Sequence, residues 1–223
     1  MMRSNCGASH NPRFLFSPVM FNAFVDTRLK RQCFPPKLPC ECPRPMKYKD
    51  STASLDTARK ILKVNHAGEF GAINIYRSQI FVSRLLRKDY VPLLESFMED
   101  EKRHMNRFWE EIQRRNGIKC KSYWLCGAGG WFMGFISALL GKSGVMACTW
   151  AVESVVVSHL KNQLSYLESR NDLAAYETVQ SILEDEENHR DTGRVEGGSA
   201  LLYGPFRWMI GLFTEGVIRF GMR

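Results

Sequence analysis

Histidine is scarce in this chain: five occur in 223 residues, and His10 lies far from the rest, so His66, His104, His159 and His189 are the imidazoles a folded interior could use. Seven cysteines are too few for a disulfide-built scaffold, and four of them (Cys6, Cys33, Cys40, Cys42) fall within the first fifty residues, so a reducing compartment is the default. Cys33, Cys40 and Cys42 fit none of the paired zinc spacings and have no histidine beside them. Positive charge is also sparse where a nucleic-acid groove would need it. Residues 1–50 hold nine Lys/Arg against Asp26, Glu41 and Asp50, which leaves 22 basic against 20 acidic residues for 51–223 out of a net +8. The folded part is nearly neutral, and no nucleic acid is expected as a partner. A complete dinucleotide fingerprint is missing as well: Gly127-Ala-Gly129-Gly-Trp-Phe132 lacks the final glycine and precedes no strand. The length excludes a multidomain assembly and allows one domain with a tail.

Residues 1–50 carry Arg3, Arg13, Arg28 and Arg31, have no acid before Asp26, and contain only short apolar runs (Phe14–Phe16, Val19–Phe21). A secretory signal needs an unbroken apolar stretch, whereas an Arg-rich, acid-poor leader reads as a mitochondrial presequence; a disordered tail without an address is the alternative. Five prolines from Pro35 to Pro45 then separate this leader from a domain expected over 51–223.

From Asp56 to about Arg87, Ile61, Val64, Ile73, Tyr76 and Ile80 recur at helical spacing, with no strand-like alternation. A second helix opens at Pro92 and stops at Asn116-Gly117, a third core helix is expected from about Gly144 to Arg170, and a fourth from about Asp172 to Asp191, closed by Gly193. Short turns between long helices make antiparallel neighbours, so the expected fold is all-α: a four-helix bundle with one longer crossover.

An internal repeat turns this architecture into chemistry. The second helix carries Glu101-x-x-His104 and the fourth Glu186-x-x-His189, each pair sharing one helix face. The first and third core helices offer Glu69 and Glu153, and the offsets 69 to 153, 101 to 186 and 104 to 189 are 84, 85 and 85. A lone Glu-x-x-His is weak, since an exposed face carries one by accident, but Glu69 and Glu153 sit among residues that belong inside a core. Burying one carboxylate costs several kcal/mol unless it is compensated, and two divalent cations supply four charges for four carboxylates. One Glu from each of two helices plus Glu-x-x-His from each of the others is the ferritin-like di-iron or di-manganese pattern. Glu101 and Glu186 are expected to bridge, Glu69 and Glu153 each to cap one metal, and His104 and His189 to bind one metal apiece as neutral imidazoles.

Other polar residues weigh less. His66 could be a ligand, a hydrogen-bonding orienter of one, or the cap of a packed turn, with an orienting or structural place favoured. His159, two turns beyond Glu153, could relay protons, orient a ligand, or be a satisfied core histidine. Asp100 and Asp185 could hold the histidines, although solvated acids are the simpler reading. Gly68 and Gly71 flank Glu69 inside a helix at about 1 kcal/mol each relative to Ala, which calls for a close neighbour: another helix or a flat substrate.

At these residues the chain resembles the demethoxyubiquinone hydroxylase family, the di-iron monooxygenases of ubiquinone biosynthesis. The likeness covers roughly 55–223 and is carried by Asn65-His-Ala-Gly-Glu69-Phe-Gly-Ala72, Asp100-Glu101-Lys-Arg-His104, Leu139-Leu-Gly-Lys142-x-Gly144-x-Met-Ala-Cys148-Thr, Ala151-Val-Glu153 and Asp185-Glu186-Glu-Asn-His189-Arg-Asp-Thr-Gly193. The resemblance implies a ferritin-like fold with two iron ions on Glu69, Glu101, His104, Glu153, Glu186 and His189, and a polyprenyl quinol substrate. It also implies NADH as electron donor, a peripheral place on the matrix side of the mitochondrial inner membrane, and work beside a lipid-binding partner protein in a ubiquinone-synthesis complex; a homo-oligomer is compatible with it. Lys60 stands where an arginine is expected in animal relatives, and Phe70 replaces the commoner tyrosine.

Between Lys121 and Glu153 the only charge is Lys142, and Trp124–Leu140 is rich in Trp, Phe, Met, Ile and Leu. Glycines weaken it as a membrane span, which needs about 20 predominantly apolar residues, and a span would divide the metal site, so a surface-lying, half-inserted segment is expected. The tail from Leu201 to Phe220 reads as a second membrane-associating helix or as a fifth core helix. Two other functional classes share the six ligands: a ferroxidase or other di-iron oxidase, which has no need of the apolar segments, and a non-catalytic lipid-binding assembly protein with a vestigial centre.

Overall fold

The computed structural model describes residues 52–86 and 88–223; the leader expected over 1–50 lies outside the described residues. Six helices follow in order: α1 (Thr52–Leu86), α2 (Val91–Arg114), α3 (Tyr123–Leu139), α4 (Gly141–Ser169), α5 (Leu173–Gly193) and α6 (Gly204–Met222). Among the described residues there is no strand. Their ends have local causes. Pro92 sits in the first turn of α2, where its missing N–H costs nothing. Asn116 takes up a left-handed φ of 51° so that the Gly117 N–H can close back on the Ile112 carbonyl at 2.8 Å. Asp172 caps α5 by accepting from the Ala175 N–H at 3.2 Å.

The four core helices are α1, α2, α4 and α5. Short turns make α1 and α2 one antiparallel hairpin and α4 and α5 another. Contacts between hairpins are antiparallel too: Asp100, His104 and Arg107 of α2 and Arg115 just past its end meet His189, Asp185 and Ser181 of α5 and its cap Asp172 in reverse order. The Arg115–Asp172 pair, bidentate at 2.7 and 2.8 Å, pins the far end of that contact. Apolar residues close the bundle on both sides of its middle. Leu62, Phe108, Ile112, Leu160, Leu167 and Ile182 fill one end. Tyr76, Leu94, Phe97, Val145 and Met146 fill the other.

The crossover is α3, which runs parallel to α1 at a distance only glycine allows. A Cβ at Gly130 would run into the Gly71 carbonyl, and one at Gly134 into the Ile75 carbonyl and the Ser78 hydroxyl. Gln79 of α1 donates to Ser137 of α3 at 2.9 Å and fixes the register. The question raised by Gly68 and Gly71 thus receives two answers: Gly71 faces Cys126 of α3, while nothing stands within 4 Å of a Cβ at Gly68, which borders a cleft. The outer face of α3 is bare and apolar, with Trp124, Trp131, Phe132 and Leu139 exposed. α6 rests on α4 and α1 through Phe206, Ile210, Val217 and Gly221, yet leaves Trp208, Met209 and Leu212 exposed, so it is two-faced rather than a fifth core helix. By length and composition only α4 among the described helices could cross a membrane, and most of it is buried in the bundle.

Gly130→Ala should lower the midpoint of urea unfolding by the equivalent of about 1–3 kcal/mol, because backbone must move to admit the methyl group. Gly68→Ala should raise it by up to about 1 kcal/mol, since a helix interior prefers alanine and the space is open.

Candidate metal centre

Glu69, Glu101, His104, Glu153, Glu186 and His189 project from α1, α2, α4 and α5 into the space between the two apolar ends, and every one is at most 5% exposed. Ligand atoms of Glu69, Glu101, His104 and Glu186 all lie within 4.8 Å of one another. His189 presents Nδ1 to Glu101 Oε1 at 3.2 Å, and Glu153 joins through its contact with Glu186 and through Tyr76, whose hydroxyl donates to Glu153 Oε1 at 3.5 Å. Each histidine sits between the two carboxylates of the Glu-x-x-His pairs: His104 Nδ1 is 3.0 Å from Glu186 and 3.9 Å from Glu101, and His189 Nδ1 is 3.2 Å from Glu101 and 3.9 Å from Glu186.

The outer nitrogens are held crosswise. His104 Nε2 meets Asp185 at 3.0 Å and His189 Nε2 meets Asp100 at 3.1 Å, so each imidazole is oriented by an aspartate on the opposite helix. Asp100 and Asp185 are therefore not merely solvated acids. The clue lay in the sequence, since both directly precede the glutamate of their pair and they too are 85 residues apart. Tyr76, read from periodicity as a core residue, is the other site residue that spacing missed, and nothing in the pattern marks its hydroxyl.

The electrostatics show what this arrangement lacks. Burial, then the charges of Glu101 and Glu186, push Glu69 well above the usual carboxylate range, and burial with the same two neighbours does so for Glu153. Burial would raise Glu101 too, but the His189 imidazole 3.2 Å away and the neighbouring Glu69 carboxyl hold it below its ordinary value. For His189, burial works to lower the pKa, and the close approach of Glu101 with the charges of Glu101 and Glu186 outweighs it, bringing it to about 9. Both Glu101 oxygens, Glu186 Oε2 and His189 Nδ1 are buried without hydrogen-bond geometry to any partner. Buried polar atoms are seldom left so, and acceptor oxygens and an imidazole nitrogen facing one small volume suit a hard or borderline divalent cation.

The two weaker candidates divide. His66 is buried between the rings of Trp109 and Tyr123, at 5.1 and 5.3 Å, and burial with the nearby Lys119 charge brings its pKa down to about 4. It packs with aromatics and, among the described residues, forms no ion pair with any of the six. His159 lines a cleft beside the cluster and bonds Glu215 of α6 at 2.6 Å. That cleft encloses about 780 Å³, counting space open to solvent, and has Glu69, Glu101 and Glu153 at its floor and residues of α1, α3, α4 and α6, mostly apolar, as its walls.

A model of the family described as "Ubiquinone biosynthesis protein COQ7" matches residues 56–221. The chain belongs to the COQ7 family. Among curated relatives, a Dictyostelium discoideum protein named NADPH-dependent 3-demethoxyubiquinone 3-hydroxylase, mitochondrial, is 33% identical over 163 residues, which cover 71% of this chain and 74% of that one. The Mus musculus protein of the same name is 36% identical over 138 residues, 60% of this chain and 62% of its own length. A Saccharomyces cerevisiae protein named 5-demethoxyubiquinone hydroxylase, mitochondrial, is 30% identical over 150 residues, 60% of this chain and 63% of the other. The COQ7 match contains every member of the Glu/His cluster.

Glu186→Ala and His189→Ala should each lower the metal bound per chain below the wild-type value in elemental analysis, with helix content retained. Stability of the metal-free protein should fall as pH rises. Glu69, Glu153 and His189 hold protons in the folded state above their unfolded pKa values, so the folded chain binds more protons from about pH 4.5 upward and loses that advantage through the alkaline side. Urea midpoints at pH 5 and pH 8 measure this, and saturating divalent metal should abolish the decline.

Proposed function

We propose that the protein is a di-iron monooxygenase that hydroxylates the ring of a polyprenyl demethoxyubiquinol in ubiquinone biosynthesis. The observation that carries this reading is the placement of three carboxylates of the Glu/His cluster, Glu69, Glu101 and Glu153, at the floor of an apolar cleft, which fits a small electron-rich ring on a hydrocarbon tail. Glu69, Glu101, His104, Glu153, Glu186 and His189 would hold two irons, Glu101 and Glu186 each lying near both histidines. Bound there, iron supplies activation of O2 for insertion of one oxygen atom into the ring.

The protein's own residues set the conditions. Asp100 and Asp185 fix the imidazole orientation from the opposite helix, so that Nδ1 points inward on both. Tyr76 steadies Glu153. The apolar ends of the bundle exclude water, and in a dry site each charge interaction counts for more. Gly68 leaves the cleft open beside Glu69, so a flat ring can approach the cluster closely. A ferroxidase would share the cluster but would have no use for these apolar walls.

Relatives' names specify NADPH where the family resemblance suggests NADH. We take a reduced nicotinamide nucleotide as the ultimate donor, with its electrons reaching the site through the quinone, a surface pocket or another protein. The exposed apolar faces of α3 and α6 support peripheral attachment to the matrix side of the mitochondrial inner membrane, and relatives carry the word mitochondrial in their names. A lipid-binding partner in a ubiquinone-synthesis complex and a homo-oligomer would use the same faces. Residues 51–223 form the hydroxylase domain and 1–50 the address.

Purified, iron-loaded protein given demethoxyubiquinol of short tail length, O2 and either NADH or NADPH should yield the ring-hydroxylated product, read by mass spectrometry with an 18O label. Oxidation of iron without quinol turnover would favour the ferroxidase reading. In liposome flotation the wild type should float and a Trp124→Ser, Phe132→Ser, Trp208→Ser triple variant should stay at the bottom; a wild type that remains soluble without detergent and ignores liposomes would tell against membrane attachment.

A further inference from the structure

The cleft has few polar groups beyond the carboxylates at its floor, and most are already committed. Asn65 exchanges hydrogen bonds with Gln163 at 2.7 and 3.1 Å. Ser122 donates to Cys120, Thr214 donates to the Ile210 carbonyl, and burial pushes the Cys126 thiol up to about 11. Among the described lining residues that leaves His159. Its Nε2 lies 2.6 Å from Glu215 Oε2, and the other oxygen of Glu215 accepts from Arg219 Nε at 2.5 Å. A carboxylate so placed takes the N–H of the imidazole and leaves Nδ1 as an acceptor. Six residues along α4 set His159 about 9 Å beyond Glu153 on the helix axis. His159 and the carboxylates of Glu69, Glu101 and Glu153 line the same cleft, so a ring held there shares one cavity with both.

We propose that His159, oriented by Glu215, is a catalytic residue that accepts the proton of a ring hydroxyl of the quinol. The ring O–H bond breaks, its electron pair stays on the ring oxygen, the proton passes to Nδ1, and Glu215 meets the charge of the imidazolium. Nothing is oxidised or reduced in the step; it raises the electron density of the ring before oxygen is inserted. Charged groups near His159 are Glu215 and Arg219 from α6, Glu153 six residues back on its own helix and, lining the same cleft, Glu69 and Glu101. The proposal rests on the quinol-hydroxylase reading above.

Two measurements on the full chain test it. In iron-loaded protein, His159→Gln should lower kcat for demethoxyubiquinol on the order of a hundredfold with KM changed less than about threefold, and Glu215→Gln should lower kcat about tenfold. In protein without iron, 4-nitrophenol held in the cleft should show its phenolate absorption band in the wild type and the neutral-phenol band in His159→Gln. Turnover within threefold of wild type in His159→Gln, or an unchanged phenolate band, would overturn the proposal while leaving the parent reading intact. A wild type with no quinol turnover at all would overturn both. If His159→Gln loses metal or helicity, Glu215→Gln decides: the proposal falls unless that variant keeps both and still loses turnover.

Discussion

Four carboxylates and two imidazoles crowd one buried volume, and the rest of the structure answers to that fact. Two unit charges 4 Å apart interact by about 4 kcal/mol at an effective dielectric constant of 20, and taking each carboxylate out of water costs several kcal/mol more. The bundle cannot hold Glu69, Glu101, Glu153 and Glu186 as bare anions. It responds by holding Glu69 and Glu153 well above the usual carboxylate range and by setting His189 against Glu101, whose charge it supports. Divalent cations would compensate these carboxylates, and the orphaned atoms of Glu101, Glu186 and His189 are the ones left to take them.

Such a cluster needs clamping, since like charges drive the helices apart. Apolar residues on each side of the site supply most of it, with Phe108 and Leu160 at one end and Tyr76 and Phe97 at the other. The crosswise aspartates add a second layer, because each ties α2 to α5 at the level of the histidines. The crossover helix then does two jobs. Its glycines bring the backbone of α3 against α1, which stiffens the helix carrying Glu69, and its opposite face is freed for aromatic residues that stand exposed among the described residues.

Much of this was legible in the sequence because periodicity and spacing are geometric statements. The offsets of 84, 85 and 85 required four helices presenting six groups at one level, and Glu101, His104, Glu186 and His189 fall there. Helix ends followed from Pro92, Gly117 and Asp172. What spacing could not give was orientation beyond the ligands. The hydroxyl of Tyr76 is invisible to an apolar periodicity, and the choice between a neighbouring helix and a substrate at Gly68 and Gly71 needed coordinates: one glycine faces α3 and the other the cleft. The partner of His159 sits 56 residues away on a helix whose place no local pattern fixes.

The two hairpins, α1 with α2 and α4 with α5, meet antiparallel and contribute the same groups in the same order, aspartates included. That is the geometry of a twofold axis passing through the metal centre. A chain of half this size, one glutamate helix and one Asp-Glu-x-x-His helix, could have closed the same centre by pairing with its own copy. In a single chain the two halves are free to differ, and the connecting segment can serve as a cleft wall while presenting an exposed apolar face.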